Sequence, residues 1–302
     1  SYTPWLRKVV NEIALMNAVG YYKLGSDDNQ ALSASIRYFT IGDVNINDNW
    51  GNNMGTVSPH EMAIDLGYSR KLTSTFSLSV VGRFIYADYS AMDEDTSSAS
   101  TWAADVAGYN ESYINIGQSE SLLSFGFNIS NIGGKLDNPD GQTSSFIPTN
   151  LRVGTSLMYP VSDVSTLSLS VDANKMLIPT PPLDKDQDSK EYKDYINTSS
   201  LSGIFKSFGD APGGFSEEIK EIMWSVGAEY NYDRKFSIRT GYFHENKMKG
   251  NRQYLSFGAG FKMSAFQLDA AYMVSTVSQS PLDQTLRFSL AFDLEGLKNL
   301  MN

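Results

Sequence analysis

The residues best suited to proton transfer in this sequence are its two histidines, and one of them stands in a cluster of charge. His244 and Glu245 are followed closely by Lys247, Lys249 and Arg252. A His–Glu pair can act as general acid and base, and neighbouring cations can hold a phosphate or a carboxylate. The stretch GYFHENKMKGNRQYLSFGAGF therefore predicts a catalytic site, an anion-binding site or simply the tip of a β-hairpin.

Catalysis at this cluster would need a positioned nucleophile or a set of metal ligands. The other histidine, His60, lies far away in the sequence at a predicted junction of loop and strand, and no G-x-S-x-G, H-E-x-x-H, Walker or Cys/His pattern occurs. We therefore predict no enzymatic activity, no cofactor and no metal. We assign Lys247, Lys249 and Arg252 to contacts with acidic groups of a surface glycolipid or a partner protein. The alternative is a solvated hairpin tip.

A second candidate site lies in the connection 178–220, which begins IPTPPLDKDQDSKEYKDY. Its prolines predict that the chain leaves the preceding strand in an extended conformation, and its charges predict that this stretch is solvated. Leu201, Ile204, Phe205 and Phe208 then recur at i, i+3, i+4 and i+7, which predicts a short amphipathic helix, and the SEE further on predicts a second helix start. Apolar residues on a polar loop must fold into the mouth of the β-barrel that the strand pattern predicts, or bind a partner, and we predict partner binding.

The elements that position both sites alternate with a period of two. Phe266, Leu268, Ala270, Tyr272 and Val274 occupy every second position of one segment, which indicates a strand with one apolar face. Helical periodicity is almost absent, which argues against a parallel β/α architecture. About 14 such segments occur, at 1–6, 11–23, 30–43, 61–71, 76–90, 101–110, 120–131, 149–160, 165–177, 221–232, 235–246, 252–262, 265–276 and 284–293.

The connections between these segments are alternately short and long, which is typical of an outer-membrane barrel. Most of the segments run about 10–13 residues, enough to cross a bilayer when tilted. Sandwich strands are shorter, and a propeller would show a repeat that is absent here. We therefore predict an all-β fold, a transmembrane antiparallel β-barrel of about 14 strands with short periplasmic turns and long extracellular loops.

Composition agrees with an envelope protein. The 302 residues carry a net charge of −10, which argues against nucleic acid as a partner, and the lack of cysteine excludes disulfides and thiolate metal sites. We assign residues 1–293 to the barrel, 178–220 to a long extracellular loop with short helices and 294–302 to a periplasmic tail. Because SYTPWLR already has the pattern of strand and turn, we expect an upstream segment beyond this sequence.

Strand alternation also places charges of both signs on the inner face of the barrel. The mixture predicts a lumen that is cross-linked by ion pairs, and the alternative is a selectivity ring or a binding cavity. The inward charges are Arg37, Asp65, Arg83, Asp105, Arg152, Asp172, Glu229, Arg239, Asp269 and Arg287.

Several stretches together carry a resemblance to a known family. They are SYTPWLR, LSASIRYFTIGD, EMAIDLGYSRKL, FSLSVVGRFIYADY, GYFHENKMKGNRQYLSFGAGFK and DQTLRFSLAFDLEGL. The chain resembles, over essentially its whole length, the PorV family of outer-membrane proteins of the type IX secretion system in Bacteroidota. That family is similar in fold to the 14-stranded FadL family of fatty-acid transporters.

The resemblance implies a role in protein secretion without catalysis. Such proteins bind the C-terminal signal domains of secreted cargo and carry it from a SprA-type translocon to a PorU-type sortase, with PorQ- and PorZ-like subunits. Contact with outer-membrane lipid and lipopolysaccharide is also implied. The alternatives are a FadL-like outer-membrane transporter of hydrophobic small molecules, which predicts an apolar lumen pocket and a lateral opening, and a diffusion porin, which predicts conductance.

Overall fold

The computed structural model describes residues 1–4, 13–25, 28–48, 50–88, 98–137, 144–182, 186, 188–278, 280, 282–294 and 296. Within these residues the chain forms a closed barrel of 14 antiparallel strands and two small hairpins outside it. The strands are β1 (Tyr2–Pro4), β2 (Ala14–Leu24), β3 (Gln30–Thr40), β4 (Val44–Asn47), β5 (Asn53–Val57), β6 (His60–Lys71), β7 (Phe76–Asp88), β8 (Ala99–Ile116), β9 (Ser119–Gly133), β10 (Lys135–Asp137), β11 (Ser144–Phe146), β12 (Asn150–Ser162), β13 (Ser165–Met176), β14 (Met223–Tyr232), β15 (Phe236–His244), β16 (Gln253–Lys262), β17 (Phe266–Ser275) and β18 (Thr285–Phe292). The predicted fold class is confirmed.

The barrel is a meander in which chain neighbours pair, with two exceptions. The hairpin β4–β5 is inserted between the paired strands β3 and β6, and the hairpin β10–β11 is inserted between β9 and β12. The circle closes where β1 lies between β2 and β18, with Tyr2 opposite both Met16 and Phe288. Closure removes the free sheet edges that an antiparallel sheet of this size would otherwise expose.

The two ends of the barrel differ in the length of their connections, as predicted. At one end, the tight-turn end, the connections are 25–29, 72–75, 117–118, 163–164, 233–235 and 263–265. At the other, the loop end, they are 41–59, 89–98, 134–149, 177–222, 245–252 and 276–284. In the turn after β14, Asp233 and Arg234 have φ angles of 52° and 54°, the left-handed pair that tight hairpins require.

One hairpin is longer than the sequence predicts. We predicted strands at 101–110 and 120–131, whereas β8 and β9 reach a two-residue turn at Gly117, whose φ is 63°. The intervening NESYINIGQSES has few apolar residues, so its alternation is weak. Cross-strand pairing continues through it, from Asn110 opposite Phe125 down to the turn.

The register sorts side chains between lumen and exterior. Asp65 lies directly opposite Arg83, and the next residue along β6, Leu66, is 68% exposed on the outer face. In the lumen Arg83 donates to Asp65 Oδ1 at 2.7 Å and to Asp105 Oδ2 at 2.9 Å. Arg239 forms the equivalent bridge on the other side of the barrel, to Glu229 and Asp269. The predicted cross-linking of the inner face by ion pairs is therefore observed at both places.

The long connection 177–222 contains three short helices, α1 (Lys190–Asn197), α2 (Ser200–Lys206) and α3 (Phe215–Glu218), and a 3-10 turn (Ile219–Glu221). The helices predicted around Leu201 and at SEE are thus confirmed. The predicted extended conformation is wrong at α1. There the Ser189 side chain accepts the Tyr192 N–H and caps the start of a helix. Of the predicted tail 294–302, only residues 294 and 296 lie among the described residues. No helix in the described part of the chain is long and apolar enough to span a membrane.

Candidate functional site

Helix α2 is fixed to the body of the protein by its small residues. Ser199 caps it by accepting a backbone N–H of the first turn. Gly203 and Ser207, one turn apart, are both buried. A Cβ on Gly203 would lie 2.9 Å from Pro179 Cδ and 3.1 Å from Phe146 Cε1, so only glycine allows this close approach. The side of α2 that carries these small residues therefore faces the body of the protein.

The large apolar residues of α2, together with Phe208 just after its end, lie on the opposite side. Leu201 is 62% exposed, Phe205 77% and Phe208 54%, while Ile204 is half-buried. The amphipathic helix is as predicted, but its apolar face is turned to the surface instead of into the barrel mouth. These four residues, here called the α2 face, form an apolar surface that is exposed at every position except Ile204.

A contact with the hairpin β10–β11 supports the first part of the loop. Lys135 Nζ donates to the carbonyl oxygen of Ile196 at 2.5 Å and lies 4.3 Å from the centre of the Phe146 ring. The Phe146 ring also meets Tyr195 edge-on at 5.5 Å. Burial lowers the pKa of Lys135 and raises that of Tyr195. Two loops of the loop end are thereby joined into one packed unit.

Five charged residues hold the second part of the loop, and we call them the latch. Lys175 Nζ, at the end of β13, donates to Glu218 Oε2 at 2.9 Å and also to Glu221. Lys249 Nζ, in the loop after β15, donates to Glu217 Oε1 at 2.6 Å and Glu221 Oε1 at 2.9 Å. Two cations thus tie three carboxylates of the segment around α3 to two places on the barrel rim.

The contacts of the latch shift the pKa values of Glu217, Glu218 and Lys249 away from neutrality. The hydrogen bond from Lys249 lowers the pKa of Glu217. Burial alone would raise the pKa of Glu218, but the N–H of Ala211 and the Lys175 ammonium lower it overall. Burial would lower the pKa of Lys249, yet the bonds to Glu217 and Glu221 raise it. All three groups are therefore held in their charged forms at neutral pH.

These directions predict how the latch responds to pH. Lowered carboxyl pKa values mean that the stabilisation is complete above the ordinary value of 4.5 and is lost as the pH falls through the folded values. The raised pKa of Lys249 means that its contribution is complete below 10.5 and is lost above it. The latch should therefore hold from about pH 5 to pH 10 and open in stronger acid.

A spin label on the variant Ser216→Cys can measure this, since the chain has no other cysteine. We expect constant label mobility across the neutral range and a rise below about pH 4. The same label at Met54, on the β4–β5 hairpin, is the control and should not follow this curve. A rise centred near pH 6.5 would contradict the assignment, because it would point to histidine.

The predicted basic cluster is largely neutralised within the chain. Lys249 belongs to the latch, and Arg252 donates through Nε to Glu245 Oε2 and through Nη2 to Oε1, both at 2.8 Å. Burial would raise the pKa of Glu245, but Arg252 lowers it overall. Lys247 is exposed. The three predicted cations thus do not act together as one exposed basic tip, and two of them stabilise the loop end.

His244 and Glu245 point in different directions and do not form a catalytic pair in this structure. The His244 ring stacks on Trp224 with centroids 5.1 Å apart, on the outer face. Glu245 is 4% exposed and binds Arg252. The strand ends between these two residues, so the predicted hairpin tip is the observed arrangement. Within the described residues, no three His, Cys, Asp or Glu side chains could together hold a metal ion.

A cavity of about 290 Å³ lies against the inner wall at β8, β9, β12 and β13. Tyr109, Arg152 and Asp172 line it together with small residues such as Gly126 and Gly154. The cavity is separate from the α2 face and the latch. Its lining mixes charge with short side chains.

Comparison with known proteins finds one matching family model and several solved β-barrel structures. Residues 1–183 match the family model of the type IX secretion system protein PorV. No match was found among curated proteins. The toluene transporter TodX of Pseudomonas putida has a TM-score of 0.45 at 9% identity, covering 92% of this chain and 80% of its own. A FadL homologue from Pseudomonas aeruginosa has a TM-score of 0.42 at 13% identity, covering 92% and 75%.

These TM-scores are below 0.5, so the barrels show no more than a general likeness in architecture. The family match is of a different kind, since it spans more than half of the chain and includes β1 to β13. It ends before α1, so α2 and most of the latch lie beyond the matched part. The match and the closed 14-strand barrel agree: this chain belongs to the PorV family of type IX secretion system proteins and is an integral protein of the bacterial outer membrane.

Proposed function

We propose that the chain binds the C-terminal signal domains of secreted cargo through the α2 face. In this proposal it receives cargo from a SprA-type translocon and delivers it to a PorU-type sortase, in an attachment complex with PorQ- and PorZ-like subunits. The chain itself supplies binding and no catalysis. Long loops of outer-membrane barrels face the cell exterior, so the α2 face lies on the side where exported cargo emerges.

The observation that carries the proposal is the exposure of Leu201 and Phe205 on α2 and of Phe208 just after it, in a segment that is packed against the body of the protein through Gly203. Exposed aromatic and aliphatic residues supply most of the energy at binding hot spots. A surface that is already ordered loses less conformational entropy on binding than a flexible loop. The packing of Gly203 on Pro179 and the latch both order this loop before any partner arrives.

The substitution Phe205→Asp should weaken cargo binding while leaving the barrel intact. Because a buried hot-spot residue contributes about 2 kcal/mol or more, we expect the Kd for a purified cargo signal domain to rise about thirtyfold. The binding partner is a reporter protein that carries the signal domain, titrated against the full-length protein in gentle detergent. The matched control is Met248→Asp, which changes a residue that is 75% exposed on another loop.

An unchanged Kd for Phe205→Asp combined with Leu201→Asp would refute the α2 face as the docking site. A matching loss in the Met248→Asp control would instead indicate a general effect of acidic charge at the loop end. Retained strand content by circular dichroism shows that each variant is folded. Pull-down from the native outer membrane with mass spectrometry then identifies translocon and sortase subunits.

The transporter alternative depends on the lumen. It requires an apolar passage, whereas the described inner wall carries the ion pairs of Arg83 and Arg239. These ion pairs favour a barrel that is cross-linked inside over a barrel with an apolar channel. Lipid or detergent bound in the lumen of the purified protein, with no cargo binding, would place the transporter first.

A further inference from the structure

The position of the latch relative to the barrel wall follows from strand alternation. On β13, Leu169 and Val171 are 52% and 51% exposed on the outer face, and Lys175 has the same parity. Pairing with β14 continues without irregularity to Asn174 opposite Met223. Lys175 therefore projects from the outer side of the wall, and the carboxylates that it binds lie at this rim of the barrel.

The segment Phe215–Ile222 consequently lies against the outer rim with two different faces. Glu217 and Glu221, one turn apart, are turned to the lysines of the latch. Phe215 and Ile219, also one turn apart, are 80% and 52% exposed on the other side. The acidic face is paired with lysines of the protein, and the apolar face is exposed.

The same segment continues directly into strand β14 of the barrel wall. Ile222 has extended backbone angles, φ −76° and ψ 115°, and the strand parity of Trp224, and it is 41% exposed. Trp224 stacks on His244 and meets Tyr242 edge-on at 5.6 Å on the outer face. Aromatic clusters at strand ends mark the boundary between lipid and water.

The height of the segment above this boundary is small. Ala173 is the strand partner of Trp224, and Lys175 lies two residues further along β13. Two residues of a strand correspond to about 7 Å. Lys175, which binds Glu218 and Glu221 of the segment, thus lies about 7 Å above the level of the aromatic cluster, and Ile222 joins the segment directly to β14.

We propose that Phe215–Ile222 is an interfacial anchor whose apolar face inserts into the outer leaflet at the boundary of acyl chains and headgroups. Lipid is the favoured occupant because the face extends the membrane-facing surface of β14 and its charges are turned away. Pairing of the three acids with Lys175 and Lys249 leaves only one net negative charge in the latch, which weakens the repulsion of the segment from anionic headgroups. The anchor would hold the base of the long loop against the membrane, apart from the α2 face.

Single cysteines that carry an environment-sensitive fluorophore can test this in phosphatidylcholine vesicles. The variants are Phe215→Cys and Ile219→Cys, and the controls are Phe205→Cys and Met54→Cys, two exposed residues of other loop-end elements. Quenching by aqueous iodide is compared with quenching by lipids that carry a nitroxide near the headgroup. We expect iodide quenching several-fold weaker and nitroxide quenching several-fold stronger at 215 and 219 than at the controls.

Equal iodide quenching at 215, 219 and both controls would overturn the anchor and leave this face free for a protein partner. Stronger quenching at 215 and 219 by a nitroxide deep in the acyl chain than by the shallow one would overturn the boundary placement. Only samples with native strand content are compared, so a folding defect does not count as either result. The α2 face proposal is unaffected by these outcomes, because it concerns different residues.

Discussion

The substitution Arg83→Met is expected to lower the free energy of unfolding of the barrel by about 3–5 kcal/mol. The Arg83 side chain is only 10% exposed and lies between Asp65 and Asp105, which are 14% and 11% exposed. Without the guanidinium, two carboxylates remain close together with little water to solvate them. Removing one partner of a buried ion pair is far more damaging than replacing the whole pair, because it leaves uncompensated charge.

The geometry around Arg83 makes this the largest effect that we expect from a single substitution. Its guanidinium also donates to Asn131 Oδ1, and the N–H of Asn131 donates to Asp105 Oδ1 at 2.8 Å. Asn131 has a φ of 59° at the irregularity in the pairing of β8 with β9. Arg83 therefore also supports the local bulge, since a bulge leaves backbone groups that need partners.

Urea unfolding of the refolded protein in detergent, followed by tryptophan fluorescence, gives the free energy. Arg287→Met is the matched control, because Arg287 is exposed in the lumen, and its expected change is below about 0.5 kcal/mol. The triple variant Arg83→Met, Asp65→Asn, Asp105→Asn should recover much of the lost stability. A loss of less than about 1 kcal/mol for Arg83→Met alone would show that water screens this cluster.

The substitution Lys175→Met should open the long loop while the barrel stays folded. Lys175 and Glu218 are 11% and 9% exposed as side chains, and Glu221 is 18% exposed, so loss of the ammonium leaves poorly solvated carboxylates. We expect the free energy of local opening to fall by about 3 kcal/mol, more than a hundredfold in the open population. The effect is local because the backbone pairing of β13 does not depend on this side chain.

Native-state proteolysis at neutral pH measures the open population of the loop. The expected result is faster cleavage within 199–222 for Lys175→Met, with unchanged urea unfolding of the barrel. The control is Lys193→Met, since the pair of Lys193 with Asp188 is exposed at the surface and contributes little. Equal cleavage rates for Lys175→Met and the parent would show that the latch does not hold the loop.

The sequence alone determined the architecture of this protein, because alternation is a local property with a period of two. Every barrel strand was predicted within a few residues except the β8–β9 hairpin, whose polar stretch weakens the pattern. The helix around Phe205 was also predictable from its spacing. Helix α1 was missed because the prolines and charges before it suggested an extended chain, while the cap at Ser189 acts over a single turn.

Only the tertiary structure decided which charges meet and which apolar faces stay bare. Lys175, Glu218 and Lys249 come from three separate parts of the chain, so their pairing depends on strand register and loop path. The spacing of Lys249 and Arg252 suggested a free basic tip, but spacing contains no information about carboxylates that fold back from elsewhere. The α2 helix likewise has an apolar face in any context, and it is exposed here because Gly203 and Ser207 take the inner side. Periodicity fixes the faces of an element, whereas long-range packing determines what covers them.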